Sequence, residues 1–390
     1  MTKDELRERV RSVLPDVVAL RHDLHSHPEL SGGEERTARV VAEMLTRHGI
    51  SHETRVGGGH GIVATIEGAA GPGRTFALRG DMDALPIQEE NEVAYRSQNP
   101  GVMHACGHDG HTANLMGAAL ILNGMRDRFR GTVRCLFQPA EETVRGAEAM
   151  VEAGAVDGVD AIVMLHGWPD LKPGQIGVRS GPAMASADHF DILIRGKGGH
   201  AAYPHNTVDP IVVGTQIVAA LQTLAGREVS PLAPVVVSVT RFQAGSAYNV
   251  IPDEAKLAGT VRTLDPKLRD EMAGKLERVV AGVCAALRAE YEFAYEYGTP
   301  VTVNTPEISD LVREVGRDLL GPENVVELAE PTMGAEDFAY YVQKVPGAMF
   351  RLGTGCPYLL HTPKYDFGDA PLEPGIQMMV ELTRRFLAAD

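Results

Sequence analysis

The order of strand-like and helix-like segments predicts an α/β protein in which a ferredoxin-like α+β domain interrupts a larger α/β domain. Three observations carry this. Short apolar runs at 61–67, 75–80, 131–137 and 160–165 alternate with helical stretches, the pattern of a largely parallel sheet covered by helices. The small, polar, turn-prone segment SGPAMASAD at 180–188 then breaks that pattern. Beyond it lies a complete β-α-β-β-α-β arrangement, and the α/β texture resumes from Thr299. The expected division is 1–182 with 299–390 for the discontinuous larger domain, and 183–298 for the insert.

In chain order, residues 4–24 and 34–48 have the period of amphipathic helices. Val40, Val41, Met44 and Leu45 share a face of the second, and Gly49 stops it. GGGHG at 57–61 is spaced somewhat like a dinucleotide loop, but it precedes a strand instead of opening a helix, so it predicts a hairpin turn. Helices are expected at 111–125 and 145–153. Within the insert, a strand at 190–195 leads to a helix at 209–225 and strands at 234–242 and 254–263. A helix at 266–289 and the aromatic strand YEFAYEY at 291–297 complete it. Helices at 306–320 and 373–388 belong to the larger domain.

Composition removes several function classes. The chain has 390 residues, with 37 Lys and Arg against 52 Asp and Glu, a formal charge of −15. An acidic surface of that kind disfavours a nucleic-acid or anionic-membrane binder. The charged start MTKDELRERV shows no apolar signal-peptide region, and no apolar run approaches the length of a membrane span. The four cysteines, Cys106, Cys135, Cys284 and Cys356, are too scattered for a disulfide framework. A soluble, cytoplasmic protein is expected. The sequence lacks G-x-x-x-x-G-K-[ST], G-x-S-x-G and H-E-x-x-H, which disfavours P-loop enzymes, serine esterases and zincins.

The chemistry-bearing residues cluster after apolar strands. GDMDALP (80–86), QPAEE (138–142) and HGWP (166–169) each follow one, and open α/β sheets bind ligands beyond the carboxyl ends of their strands. MHACGHDGH (103–111) precedes a helix, and LHTPKYDF (360–367) lies further on. Together they offer the thiol of Cys106, the imidazoles of His104, His108, His111, His166 and His361, and the carboxylates of Asp81, Asp83, Asp109, Glu141 and Glu142. A mixed N, S and O set of this density fits a zinc-like transition-metal site with one or two ions. In an extended segment, Cys106 and His108 would face one side while Glu141 and Glu142 point apart, one toward metal and the other toward an attacking water. Cys135, Cys284 and Cys356 fit buried apolar filler, and Trp168 and the aromatic strand fit core.

Eight blocks occur in one order over nearly the whole chain: RHDLHSHPELSGGEERTA (21–38), LRGDMDALPIQEE (78–90), MHACGHDGHTA (103–113), FQPAEE (137–142), GKGGHAAYPH (196–205), NVIPDEA (249–255), GAEDFAYY (334–341) and LHTPKYDF (360–367). In these the sequence resembles the metal-dependent aminoacylase/carboxypeptidase family, in the branch with hippurate hydrolase and plant auxin-conjugate hydrolases. The resemblance implies a zinc-peptidase-like catalytic domain, with the insert serving dimerisation and as a lid. It implies hydrolysis of an N-acyl amino acid to a carboxylic acid and a free amino acid. Carried over residue by residue, it makes Cys106, His108, Glu142, His166 and His361 ligands of two divalent metals, and Glu141 the general base. Asp83 would orient a ligand. His200 would be the lid histidine reaching a neighbouring subunit's substrate in a homodimer, and Asn249 would help hold that substrate. The family usually follows PAEE with a glycine-rich stretch; here Thr143, Val144 and Arg145 intervene, which bears on substrate range.

The implied mechanism is metal-assisted amide hydrolysis, with Glu141 moving the proton and His200 donating to the oxyanion. A thiolate ligand favours zinc or nickel over magnesium, and manganese and cobalt also support such sites. Two further readings stay open: a metallocarboxypeptidase or dipeptidase on the same scaffold, and an inactive peptide- or metabolite-binding protein.

Overall fold

The computed structural model describes residues 1–388, which fall into two compact units. One comprises Met1–Gly181, Val303–Glu330 and the chain from Asp337 onward; the other comprises Pro182–Thr302 with Pro331–Glu336. The α/β class with a ferredoxin-like insert holds.

In the larger unit an eight-stranded sheet runs in the spatial order 51–56, 61–67, 132–138, 75–81, 161–168, 347–353, 176–178 and 325–327. Thr75–Asp81 lies parallel to both Thr132–Gln138 and Ala161–Trp168, and Ala161–Trp168 is parallel to Gly347–Gly353. These strands are buried along most of their length, as expected of a parallel sheet covered on both faces. Parallel pairing brings their carboxyl ends to one edge, and that edge holds the polar clusters. Ser51–Val56 pairs antiparallel with Gly61–Glu67, so the 57–61 glycines do form a hairpin turn. Sequence reading passes over Ser51–Val56, whose mostly exposed side chains carry no apolar alternation. It also passes over Gly347–Gly353, where glycine ends and a central arginine mask a buried strand.

Helix Lys3–Ser26 begins where Thr2 Oγ1 accepts the Glu5 N–H at 3.2 Å. It packs on His108–Asn123, which in turn packs on Leu372–Ala388. His108–Asn123 is buried from its first residue to Leu122, which explains its lack of a polar face.

The second unit is a four-stranded antiparallel sheet in the order 235–244, 254–263, 187–195, 290–299. Its helices, Pro210–Thr223 and Pro266–Leu287, each start with a capping aspartate followed by proline. Ile192, Ile194, Leu257, Val261, Leu276 and Val280 form its core, with Tyr291, Phe293 and Tyr295 packed against them. The boundaries differ from expectation: Pro182 and residues 299–302 belong to this unit, and so does a short later segment. Residues 331–336 join this unit because Ala185 N–H donates to Thr332 O (3.1 Å) and Gly334 O (2.9 Å), while Thr332 N–H donates to Ala183 O (3.1 Å).

The central strand makes a direct test. Leu78 is fully buried in the main core. Leu78→Ala should lower the stability of the larger unit by about 2–5 kcal/mol, read from urea unfolding. A loss below about 1 kcal/mol would contradict this packing.

Candidate metal centre

Five segments of the larger unit deliver the clustered donors. Asp81 ends one strand and Asp83 follows two residues later. Glu141 and Glu142 follow the 132–138 strand, and His166 lies in the strand Ala161–Trp168. Cys106 sits in the loop before His108, the first residue of its helix. Gly107 between them adopts a left-handed φ of 86°, and a Cβ there would stand 2.9 Å from the Phe367 ring. The glycine is thus required by both conformation and space. His361 N–H donates to Ala105 O at 2.9 Å, seating the last donor beside the Cys106 loop.

The convergence is close. Potential ligand atoms of Cys106, His108 and His166 lie within 4.8 Å of one another, as do those of Cys106, Glu142 and His361 and those of His108, Glu141 and Glu142. Cys106 Sγ is 3.6 Å from His166 Nε2, and His361 Nε2 is 3.3 Å from Glu142 Oε1. All five proposed ligands, with Glu141, therefore share one site. Cys106 and His108 converge because the left-handed glycine turns the chain, not because the segment is extended. Glu141 and Glu142 do not point apart as expected. The chain turns at Ala140, whose φ is 55°, and both carboxylates approach His108. Val144, in the departing Thr143–Arg145 segment, also has a positive φ of 54°, a costly conformation for a β-branched residue.

Hydrogen bonds fix which ring nitrogen each histidine offers. His108 Nδ1 lies 2.9 Å from Asp83 O and 3.2 Å from Asp83 Oδ1, so it carries the proton and leaves Nε2 as the donor. His166 Nδ1 likewise donates to Gly167 O at 2.8 Å. Asp83 Oδ2 accepts from Ser31 Oγ (2.6 Å) and from the Glu142 backbone N–H (3.0 Å), tying the two segments together. His108 Nε2 and Glu142 Oε1 are buried without a hydrogen-bond partner. Two orphaned donors facing a thiol and two imidazoles fit a divalent transition metal.

Burial opposes charging of His108, yet Asp81 and Asp83 hold its pKa well above the usual imidazole range. Burial, reinforced by Glu142, pushes the Cys106 thiol up. Burial pushes His166 well down, keeping it neutral. Contacts to Cys106 and Glu142 raise His361 to about 10. Such opposed shifts within one cluster mark a functional site.

His111 is excluded from the ligand set. Its Nδ1 pairs with Asp81 at 2.6 Å, and its Nε2 accepts the Gly167 N–H at 2.8 Å. His200 and Asn249 lie in the second unit. There His200 pairs with Val250, and Ala201 N–H donates to Asn249 O at 3.0 Å, so Asn249 lies in the turn that leads into the strand paired with His200. Exposed His200 accepts the Ala202 N–H at Nδ1 (3.1 Å), which places the proton of the neutral ring on Nε2.

Sequence reasoning gave no role to several residues behind the donors. Arg79 pairs with Asp81 and, at 2.7 Å, with Asp337, which also accepts from Gln138 Nε2. Glu34 accepts the Ala140 N–H at 2.7 Å and so braces the left-handed turn. His25 is fully buried between Asp109 (2.9 Å) and Glu89 (3.1 Å). Their signal was present in the RHDLHSHPELSGGEERTA, LRGDMDALPIQEE, FQPAEE and GAEDFAYY blocks, but only as pattern.

Fold and donor set together define an α/β protein with a candidate transition-metal centre of the kind metallohydrolases use. The chain belongs to peptidase family M20/M25/M40, whose model matches residues 77–385. It is 50% identical over 311 residues to the N-acyl-L-amino acid amidohydrolase of Geobacillus stearothermophilus, covering 79% of this chain and 83% of that one. It is 40% identical over 380 residues to thermostable carboxypeptidase 1 of Saccharolobus solfataricus, covering 95% of each. The solved structure of the Bacillus subtilis YxeP protein, described as a dinuclear metal binding peptidase from the M20 family, matches with a TM-score of 0.86 and 37% identity. That match covers 97% of this chain and 99% of that one. The resemblance drawn from the eight sequence blocks therefore holds.

A pH test follows from His25. Burial opposes its charge, but Asp109, and then Glu89, raise it from 6.5 to about 9 against the repulsion of Arg21. The protonated ring therefore stabilises the fold fully below about pH 6.5, and that contribution disappears as pH rises through about 9. In metal-free protein, up to about 3 kcal/mol should be lost over this window. His25→Gln should flatten that part of the profile in thermal unfolding. Equal slopes in both proteins would contradict the assignment.

Proposed function

We propose that this chain hydrolyses the amide bond of N-acyl amino acids, releasing a carboxylic acid and a free amino acid, with two divalent ions held by Cys106, His108, Glu142, His166 and His361. The observation that carries the proposal is the convergence of these donors around His108 Nε2, buried without a hydrogen bond, and Glu142 Oε1, which His361 Nε2 approaches to 3.3 Å. Bound there, divalent ions supply Lewis acidity, lowering the pKa of water and polarising the amide carbonyl. Glu141, 7% exposed, takes the proton of the attacking water and passes it to the leaving nitrogen. Asp83 holds the His108 ring so that Nε2 faces the site. The Nε2–H of His200, offered by a second copy of the chain in a homodimer, donates to the developing oxyanion, and Asn249 beside it holds the substrate.

A soft thiolate favours zinc, with manganese, cobalt and nickel as competitors. No helix among the described residues is long and apolar enough to cross a membrane, and all four cysteines are unpaired, which fits a cytoplasmic site of action. The 40% identity to a carboxypeptidase supports one second reading, peptide hydrolysis at the same centre. A panel of hippurate, N-acetyl amino acids and dipeptides separates the two by their kcat/KM values.

The two glutamates test the division of labour. Glu141→Gln should bind metal normally and lose roughly 100-fold or more in kcat, because an amide cannot take a proton. Glu142→Gln should primarily lose metal. Elemental analysis alongside the rate decides; equal metal loss in both variants would overturn the roles.

His200 can be tested by complementation. Glu141→Ala and His200→Ala should each be nearly inactive alone. Random mixing should restore about a quarter of normal activity, since half the dimers are mixed and one of their two sites holds both groups. No recovery despite demonstrated subunit exchange would remove His200 from the partner's site.

A further inference from the structure

The RHDLHSHPEL block contributes no proposed ligand, yet it buries charge deeply. Arg21 is fully buried on the helix Lys3–Ser26. Its Nε donates to Asp109 Oδ2 at 3.0 Å, and Asp109, itself fully buried, directly follows His108. The other nitrogens of the same guanidinium donate to Asp369 Oδ1 at 2.6 Å and to Asp366 Oδ1. Asp366 and Asp369 lie just beyond His361 in the chain. One rigid fork thus grips both ligand-bearing segments, which are far apart in sequence.

Further contacts lock this arrangement. The Tyr95 hydroxyl donates to Asp366 Oδ2 at 2.7 Å, and the Arg21 guanidinium lies 4.7 Å from the centre of the Tyr95 ring. His25 Nδ1 reaches the Asp109 oxygen that Arg21 also binds. Asn91 Nδ2 donates to Tyr365 O (3.1 Å), and Glu90 N–H donates to Pro363 O (2.8 Å), so the 89–95 loop is tied to the His361 segment as well. A stabilising ion pair needs one partner for each charge. Here a single cation spans two backbone segments whose relative position fixes the distance from Cys106 and His108 to His361.

We propose that Arg21 is a positioning residue: its planar fork, clamped on Asp109 and on Asp366 and Asp369, sets the spacing between the Cys106–His108 donors and His361. This rests on the reading of those three residues as metal ligands. Lysine keeps the charge but not the fork, because a point ammonium cannot hold both segments in the same geometry.

The test uses the full-length protein loaded with cobalt. Unaltered protein should bind the ion and show a thiolate-to-cobalt absorption band from Cys106. Arg21→Lys should weaken cobalt affinity by about 10- to 100-fold and shift that band. Asp366→Asn, which lies at the partly exposed end of the clamp, should move both readouts in the same direction. If Arg21→Lys does not fold, Asp366→Asn decides alone. A purely structural cluster would lower the melting temperature of the metal-free variants while leaving the affinity and spectrum of the folded protein untouched, and that result overturns the proposal. Failure of the unaltered protein to bind cobalt would instead overturn the metal-site reading on which it rests.

Discussion

A buried polar atom that has lost water and gained no hydrogen bond costs roughly 1–3 kcal/mol. Among the described residues, His108 Nε2 is one such atom, and Glu142 Oε1 beside it has only the 3.3 Å approach of His361 Nε2. The surrounding structure keeps them that way. Asp83 occupies the opposite ring nitrogen of His108 through its backbone carbonyl and its carboxylate, fixing the tautomer, and its carboxylate also accepts the Glu142 backbone N–H. A cation among the donors removes the penalty, which makes the cluster a centre built for an ion.

The sheet explains why such a cluster can exist. Parallel strands deliver polar residues from distant parts of the sequence to one edge, where the helix carrying His108 starts. Left-handed backbone at Gly107, Ala140 and His361 then aims the side chains inward. At Ala140 and His361 this conformation is strained, and it persists because neighbours over-determine it: Glu34 holds the Ala140 N–H, and Ala105 O holds the His361 N–H. Local strain is exchanged for convergence.

Much of this was legible in the sequence. Apolar runs followed by GDMD, QPAEE and HGWP predicted both the strands and the clusters at their ends, because burial of a parallel strand leaves a continuous apolar run and function sits where it stops. The insert was legible because its strands and helices form a complete β-α-β-β-α-β motif. What escaped was set by tertiary context. Gly347–Gly353 is a strand only because Ala161–Trp168 pairs with it. The approach of Glu141 and Glu142 to His108 depends on a left-handed alanine that no propensity favours. The roles of Arg21 and His25 depend on partners up to several hundred residues away in the chain.

The measurement that bears most directly on the centre is anomalous diffraction from crystals grown with zinc, recorded on either side of its absorption edge. The account predicts two peaks per chain, in contact with Cys106, His108, Glu142, His166 and His361. A single peak would reduce the proposed pair to a mononuclear site. No peak among these residues, in crystals that hold zinc elsewhere, would contradict the assignment of the metal centre.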